Sequence, residues 1–240
     1  MKKIIMSGFQ FKQFFIAHDR CAMKVNTDGI LLGAIADPSN ARQILDLGTG
    51  TGLIAIMLAQ RTASAQITAL ELEENAFHQA QENAQHCPWN NRIDVLQADI
   101  MTWKSTKKFD LIVSNPPYFE HSLSSQNKQR DLARAVTYSH FDWLKQSQQW
   151  LTPNGRISFI LPCDAGKKLL EQSHLLGLYC IEYWEICTKI GLSPKRVILT
   201  FSPQYAEMAL HTLTIYDENQ RYTADFTQFT EIFYLKVNSK

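Results

Sequence analysis

The sequence predicts an α/β domain: a mostly parallel seven-stranded sheet with an antiparallel edge and helices on both faces. Three observations predict it. Short β-rich runs alternate with longer stretches of helical period, as strand–helix–strand units do. A cluster of glycines follows the first of these runs and opens a helix. The last two runs are too close for a helix between them, so they form an antiparallel pair at the sheet edge.

Each element follows from its own residues. Residues 44–47 (Ile-Leu-Asp-Leu) form a short apolar run ending in glycines, a buried strand. Residues 53–61 place apolar side chains at helical spacing. Residues 66–72 are strand-like, and a polar helix follows over 73–85. A third strand spans 93–97. A fourth spans 109–114 and is stopped by Asn115-Pro116-Pro117. A helix over 141–151, a turn at Thr152-Pro153-Asn154-Gly155 and a strand over 156–161 come next. A helix over 167–176 precedes the last two strands, 179–188 and 197–201. Residues 1–40 are an N-terminal extension, and 41–240 are the main domain with a small appendage from residue 212. Both ends are expected to pack on the core. The polar segment 120–138 reads as a long loop of functional interest.

Bulk properties exclude several classes. At 240 residues the chain can bury a sizeable core. Hydrophobic residues are 45% and charged residues 20%, ordinary for a water-soluble domain. A net charge of +1 gives no global field for nucleic acid, so local basic clusters must bind any RNA. The five cysteines are scattered and odd in number, which argues for thiols in a reducing cytosol. No signal peptide and no membrane-spanning run is present, so the expected location is the cytoplasm, with no membrane partner. No obligate protein partner is expected, and no metal.

The segment Asp46-Leu47-Gly48-Thr49-Gly50-Thr51-Gly52 turns from strand to helix. Glycines at alternate positions let the backbone turn tightly and approach a ligand. A dinucleotide fingerprint needs a third glycine or alanine where Leu53 stands, and a P-loop needs a lysine that is missing. Asp46 would repel a pyrophosphate and attract a cationic amino group instead. The pattern resembles the first motif of class I methyltransferases, which implies a Rossmann-like fold and S-adenosyl-L-methionine as cofactor. Glu71 ends the second strand, where a carboxylate can bond ribose hydroxyls; Glu73 is a rival two residues on. Asp99 follows the third strand, and in the resembling family an acid there bonds the adenine amino group. The cofactor-binding candidates are therefore Asp46, Gly48, Thr49, Gly50, Gly52, Glu71, Leu72, Asp99, Ile100 and Asn115.

The catalytic candidates are Asn115, Pro116, Pro117 and Tyr118. The exocyclic amine of adenine is a poor nucleophile, because its lone pair is delocalised into the ring. The Asn115 side-chain oxygen and the Pro116 carbonyl can each accept an N–H from it. That favours a pyramidal nitrogen and stabilises the positive charge that develops. The sulfonium is already activated, so orientation supplies much of the remaining catalysis. No general base is required. Tyr118 offers a ring for an extruded base to stack on, worth about 1–3 kcal/mol.

The tetrapeptide resembles amino-methyltransferases of adenine N6, guanine N2 or protein glutamine. Phe11-Lys12-Gln13-Phe14, the run from His18 to Val25, and Thr27-Asp28-Gly29-Ile30-Leu31-Leu32-Gly33-Ala34 narrow the choice. They resemble the N-terminal signature of the bacterial tRNA1(Val) adenine-N6 methyltransferases. Pro88-Trp89, Arg196-Val197-Ile198-Leu199 and Phe201-Ser202-Pro203-Gln204 fit as well, whereas Cys87 departs from the pattern. The resemblance implies methylation of the adenosine on the 3′ side of a tRNA anticodon. It also implies that Lys24, Thr27 and Asp28 line or close the cleft. From the residues alone, Thr27 and Asp28 are equally helix caps. Protein glutamine and rRNA guanine N2 are the alternative acceptors. Basic residues interleaved with aromatics (Lys2, Lys3, Lys12, Arg20, Lys24), a second group (Lys128, Arg130, Arg134), and Lys195-Arg196 are candidate contacts for the anticodon stem-loop.

Overall fold

The computed structural model describes residues 7–117 and 138–235. Tyr118, Lys2, Lys3, the 128–134 basic group and nearly all of the 120–138 segment lie outside the described residues.

The chain opens with a hairpin, β1 (Gly8–Gln10) and β2 (Phe15–Ala17), then α1 (Thr27–Ile35). The core follows: β3 (Gln43–Leu47), α2 (Leu53–Arg61), β4 (Gln66–Glu71), α3 (Glu74–His86), β5 (Ile93–Gln97) and β6 (Phe109–Ser114). Beyond the undescribed segment come α4 (His140–Gln148), β7 (Leu151–Pro162), α5 (Cys163–Ser173), β8 (Tyr179–Lys189) and β9 (Arg196–Ser202). β10 (Ala209–Tyr216) and α6 (Ala224–Thr230) complete it. The main sheet runs β10-β8-β9-β7-β6-β3-β4-β5.

The predicted α/β class holds, with two corrections. The main sheet has 8 strands, not seven, because residues read as an appendage supply β10. β8 and β9 are antiparallel neighbours as predicted, but they are not the edge. β10 pairs parallel with β8 along Ala209↔Glu182 to Tyr216↔Lys189 and takes the outermost place. The predicted turn at 152–155 lies inside β7 as an irregularity. Register passes from Phe109↔Leu151 to Leu111↔Arg156 there, so the extra residues bulge out and pairing resumes.

Alternation along the strands feeds two cores. Ile44, Ile67, Leu111 and Ile160 face α1, α2 and α3. Leu45, Leu47, Ile112 and Phe159 face α4 and α5. A third cluster joins Phe11, Phe14 and Ile16 of the N-terminal hairpin to Ile56 and Met57 of α2 and to Phe233. Lys12 N–H donates to the Phe233 carbonyl at 2.7 Å, and the Phe11 and Tyr234 rings stack. Among the described residues, no helix is long and apolar enough to cross a membrane.

Candidate active site

Parallel strands all end on one side of the sheet, and that side gathers most of the predicted residues. Gly48, Gly50 and Gly52 have φ of 69°, 57° and 81°, the left-handed region that side chains disfavour. The turn they make folds back on β4, where the Leu70 carbonyl accepts from both Gly48 N–H and Thr49 N–H at 2.9 Å. Gly48 has a second constraint: a Cβ there would stand 3.2 Å from the Trp143 ring of α4.

Asp46 stands one residue before the end of β3, with 0% exposure. Its Oδ2 accepts from Thr49 Oγ1 at 2.5 Å. Its Oδ1 has no hydrogen-bond partner among the described residues. Burial pushes the carboxyl up to about 7, against the Thr49 bond and the Ala55 N–H of α2, and the Glu71 charge adds to the rise. A buried carboxylate oxygen left open beside this turn suits a ligand that carries an ammonium group.

Glu71 and Glu73 have separate tasks. Glu73 is the N-cap of α3; its carboxylate accepts from the Asn75 and Ala76 N–H groups. Glu71 closes on the glycine turn. Its Oε2 accepts Gly50 N–H at 2.8 Å, and its Oε1 accepts Leu72 and Glu73 N–H at 2.8 and 2.9 Å. A carboxylate has roughly four acceptor positions, so about one remains, on Oε2. Burial raises the Glu71 carboxyl, although the three backbone donors oppose it. Asp99 accepts Met101 N–H at 2.9 Å in the turn after β5, with Ile100 buried and Leu72 exposed on neighbouring strand ends.

Asn115 follows β6 directly and is 8% exposed. Ser114 Oγ donates to the Leu47 carbonyl at 2.7 Å, so the ends of β6 and β3 are pinned together. That bond brings the Asn-Pro-Pro turn beside the glycine turn. Pro116 is buried, and the His140 ring of α4 donates to the Pro117 carbonyl. Burial lowers the His140 pKa even so. The Ser139–Asp142 capping box starts α4 at that point.

Residues 18–28 lie over the same end. Met23 Sδ is 3.8 Å from Asn115 Nδ2. Cys21 is buried with Sγ 3.7 Å from where a Cβ on Gly50 would be. The N-cap of α1 is Asn26, which accepts Gly29 N–H at 2.8 Å. Thr27 and Asp28 therefore do not cap the helix, since the polar residue one position earlier reaches the free N–H first. Asp28 instead bonds Arg196 at 2.9 Å. Lys24 and Thr27 are exposed near this cover, and no described contact brings either to the glycine turn.

One residue that sequence reasoning missed ties the cover down. Asn83 of α3 is buried. Its Nδ2 donates to the carbonyls of Ala17 and Thr51 at 2.9 and 2.8 Å, and its Oδ1 accepts Ala17 N–H at 3.0 Å. Its neighbour Gln79 accepts Arg20 N–H. The signal was present: Ala76, Gln79, Ala80, Asn83 and Ala84 share one helical face, and that buried face is built of small and amide side chains. Asn83→Ala strands three buried backbone groups. It is expected to lower the unfolding free energy by about 2–4 kcal/mol in a urea titration.

Comparison with known proteins shows the family. Residues 25–172 match the model of the methyltransferase small domain. A tRNA1(Val) (adenine(37)-N6)-methyltransferase of Glaesserella parasuis serovar 5 is 97% identical, over 98% of this chain and 100% of the relative. The chain belongs to the tRNA1(Val) (adenine(37)-N6)-methyltransferase family. Relatives of the same name from Actinobacillus pleuropneumoniae serotype 7 and Haemophilus influenzae strain PittEE are 58% and 50% identical. Each covers 96% of this chain, which in turn spans 98% and 100% of them. Among solved structures, a predicted O-methyltransferase of Agrobacterium tumefaciens has a TM-score of 0.66 at 20% identity. It covers 85% of this chain, which covers 96% of it. That likeness concerns the fold alone.

Proposed function

We propose that this protein transfers the methyl group of S-adenosyl-L-methionine to the exocyclic N6 of an adenosine in a tRNA anticodon loop. The observation that carries it is the pinning of Asn115-Pro116-Pro117 against a glycine turn that holds an open, buried Asp46 oxygen. The names of the relatives supply tRNA and adenine 37.

The cofactor supplies, when bound, a methyl already activated on a cationic sulfur. Asp46 holds its ammonium group through the open Oδ1. The backbone of Gly48, Thr49, Gly50 and Gly52 lies against its amino-acid portion. Glu71 accepts a ribose hydroxyl on the remaining position of Oε2, and Glu73 stays with its helix. Asp99, flanked by Leu72 and Ile100, accepts the adenine amino group. Met23, Lys24 and Thr27 close the cleft from above.

Asn115 and the Pro116 carbonyl each accept one N–H of the target amine. The nitrogen lone pair is thereby aimed at the methyl carbon, and the positive charge that grows on the nitrogen is met by two dipoles. Buried Pro116 keeps the turn from relaxing, and the His140 bond to Pro117 holds its far side. Tyr118 provides the ring against which the base stacks. With the cofactor bound, the chemistry it would supply is transfer of the methyl from sulfur to this nitrogen, a C–N bond replacing the C–S bond and the surplus amine proton passing to water.

The test is methyl transfer from labelled cofactor to tRNA of a strain that lacks the enzyme, followed by nucleoside mass spectrometry. The expected product is N6-methyladenosine in an anticodon loop. Label in protein alone, or in another nucleoside, would falsify the assignment.

A further inference from the structure

The same end of the sheet carries a surface that the chemistry above leaves unused. β9 runs antiparallel to β7, with Arg196 opposite Pro162. The turn between β8 and β9, residues 190–195, therefore lies on the side where the Asn-Pro-Pro turn emerges. Its tip is apolar and exposed: Ile190 is 50% and Leu192 52% accessible. Lys189 and Lys195 flank the tip.

Contacts join this turn to the site in two directions. The Arg196–Asp28 bond ties it to the start of α1 and so to the residue 18–28 cover. On the other side, Cys163 Sγ lies 3.2 Å from the Pro194 carbonyl, which fixes the first turn of α5 against it. Lys167 and Lys168 are exposed on the next turn of α5, and the charge of Lys168 reaches the His140 ring beside Pro117. Two acids, Asp164 and Glu185, share the neighbourhood. None of the four lysines makes an ion pair among the described residues. Lys24 of the N-terminal basic group makes no ion pair among the described residues either, but two other members of that group are engaged. There Arg20 pairs with Glu82 and Lys12 donates to the Glu231 carbonyl.

We propose that the β8–β9 turn and the first two turns of α5 form an RNA-docking rim. Lys167, Lys189 and Lys195 take backbone phosphates on the flank of the target adenosine, and Ile190 and Leu192 pack on an exposed base or sugar. Unpaired lysines on a chain of net charge +1 concentrate positive potential at the mouth of the cleft. An apolar tip between cations suits a single-stranded loop, whose bases are unstacked and available. The inference rests on the RNA reading given above.

The test compares wild type with the Lys167→Ala/Lys189→Ala/Lys195→Ala triple variant and with Ile190→Ser/Leu192→Ser. Binding of unmodified tRNA is titrated across salt concentrations, with S-adenosyl-L-methionine affinity and kcat at saturating tRNA measured in parallel. The triple variant is expected to weaken tRNA binding about 10–100-fold near 0.1 M salt and to flatten the log–log salt slope by about two units. Cofactor affinity and kcat at saturating tRNA are expected to stay within about twofold of wild type. The Ser pair is expected to weaken binding several-fold with the salt slope unchanged. Wild-type tRNA affinity and slope in a triple variant that binds cofactor normally would overturn the rim. So would loss of self-association alone in the Ser pair, which marks a protein contact. If the triple variant fails to bind cofactor, Lys195→Glu decides: a loss of tRNA affinity of about tenfold supports the rim, and wild-type affinity overturns it. A wild-type protein that methylates tRNA while the variants bind it unchanged loses the rim and keeps its function. A wild type that binds no tRNA loses both.

Discussion

Asn115→Ala is expected to lower kcat on unmodified tRNA by about 10²–10³-fold while cofactor affinity stays within a few-fold. The amine nitrogen must become pyramidal in the transition state, and in the proposed mechanism Asn115 supplies one of two acceptors that favour that geometry. An acceptor aimed at developing charge in a site with little water contributes more than the same bond in solvent. Asn115 is 8% exposed and follows a strand end pinned to β3, so solvent does not readily take its place. Asn115→Asp retains an acceptor oxygen and is expected to keep more activity than Ala. Single-turnover methylation with saturating cofactor makes the comparison. An Ala variant with wild-type turnover would remove Asn115 from the mechanism.

Asp46→Asn is expected to weaken cofactor binding by about 10–100-fold, the loss of a charge-assisted bond in a buried setting. The effect carries a pH signature. The Asp46 carboxyl is raised to about 7 by burial, so the free protein holds it largely protonated at lower pH. Binding an ammonium group favours the carboxylate, hence wild-type affinity rises with pH up to about 7 and levels off above it. The Asn variant lacks that rise. Stability has the opposite sign. The folded pKa lies above the unfolded value of 3.8, so between 3.8 and about 7 the folded state holds a proton that the unfolded state has released. Wild-type stability without cofactor therefore declines as pH rises through that window, and Asp46→Asn flattens the decline. Calorimetric binding and thermal melts at pH 5.5 and 8 separate the two effects. A pH-independent wild-type affinity would count against Asp46 as the ammonium ligand.

The parts of this molecule that repeat a simple period were legible. β6 falls where the apolar run before Asn115 placed it, and β4 and β5 match within a residue. The glycine turn was legible because only glycine tolerates its three left-handed positions. β10 was not, because the chain leaving β9 must pass beyond β8 to pair parallel with its far side, a step that no local pattern records. Asn83 was missed for a related reason. An amide inside a polar helix looks solvated until the helix is placed against Ala17 and Thr51. The roles of Glu71 and Glu73 stayed open in sequence, since both lie at one strand end; the cap geometry of α3 separates them.

The packing of Phe11 against Tyr234 and the bond from Lys12 to Phe233 connect the first described residues of the chain to the last. This has a bearing on synthesis at the ribosome. The hairpin that leads into the residue 18–28 cover emerges early, yet the residues that anchor it are translated more than two hundred codons later. During elongation the Asn83 bonds to Ala17 can form well before this second anchor is available. A product terminated before Phe233 would carry a nearly complete fold without this anchor for the cover.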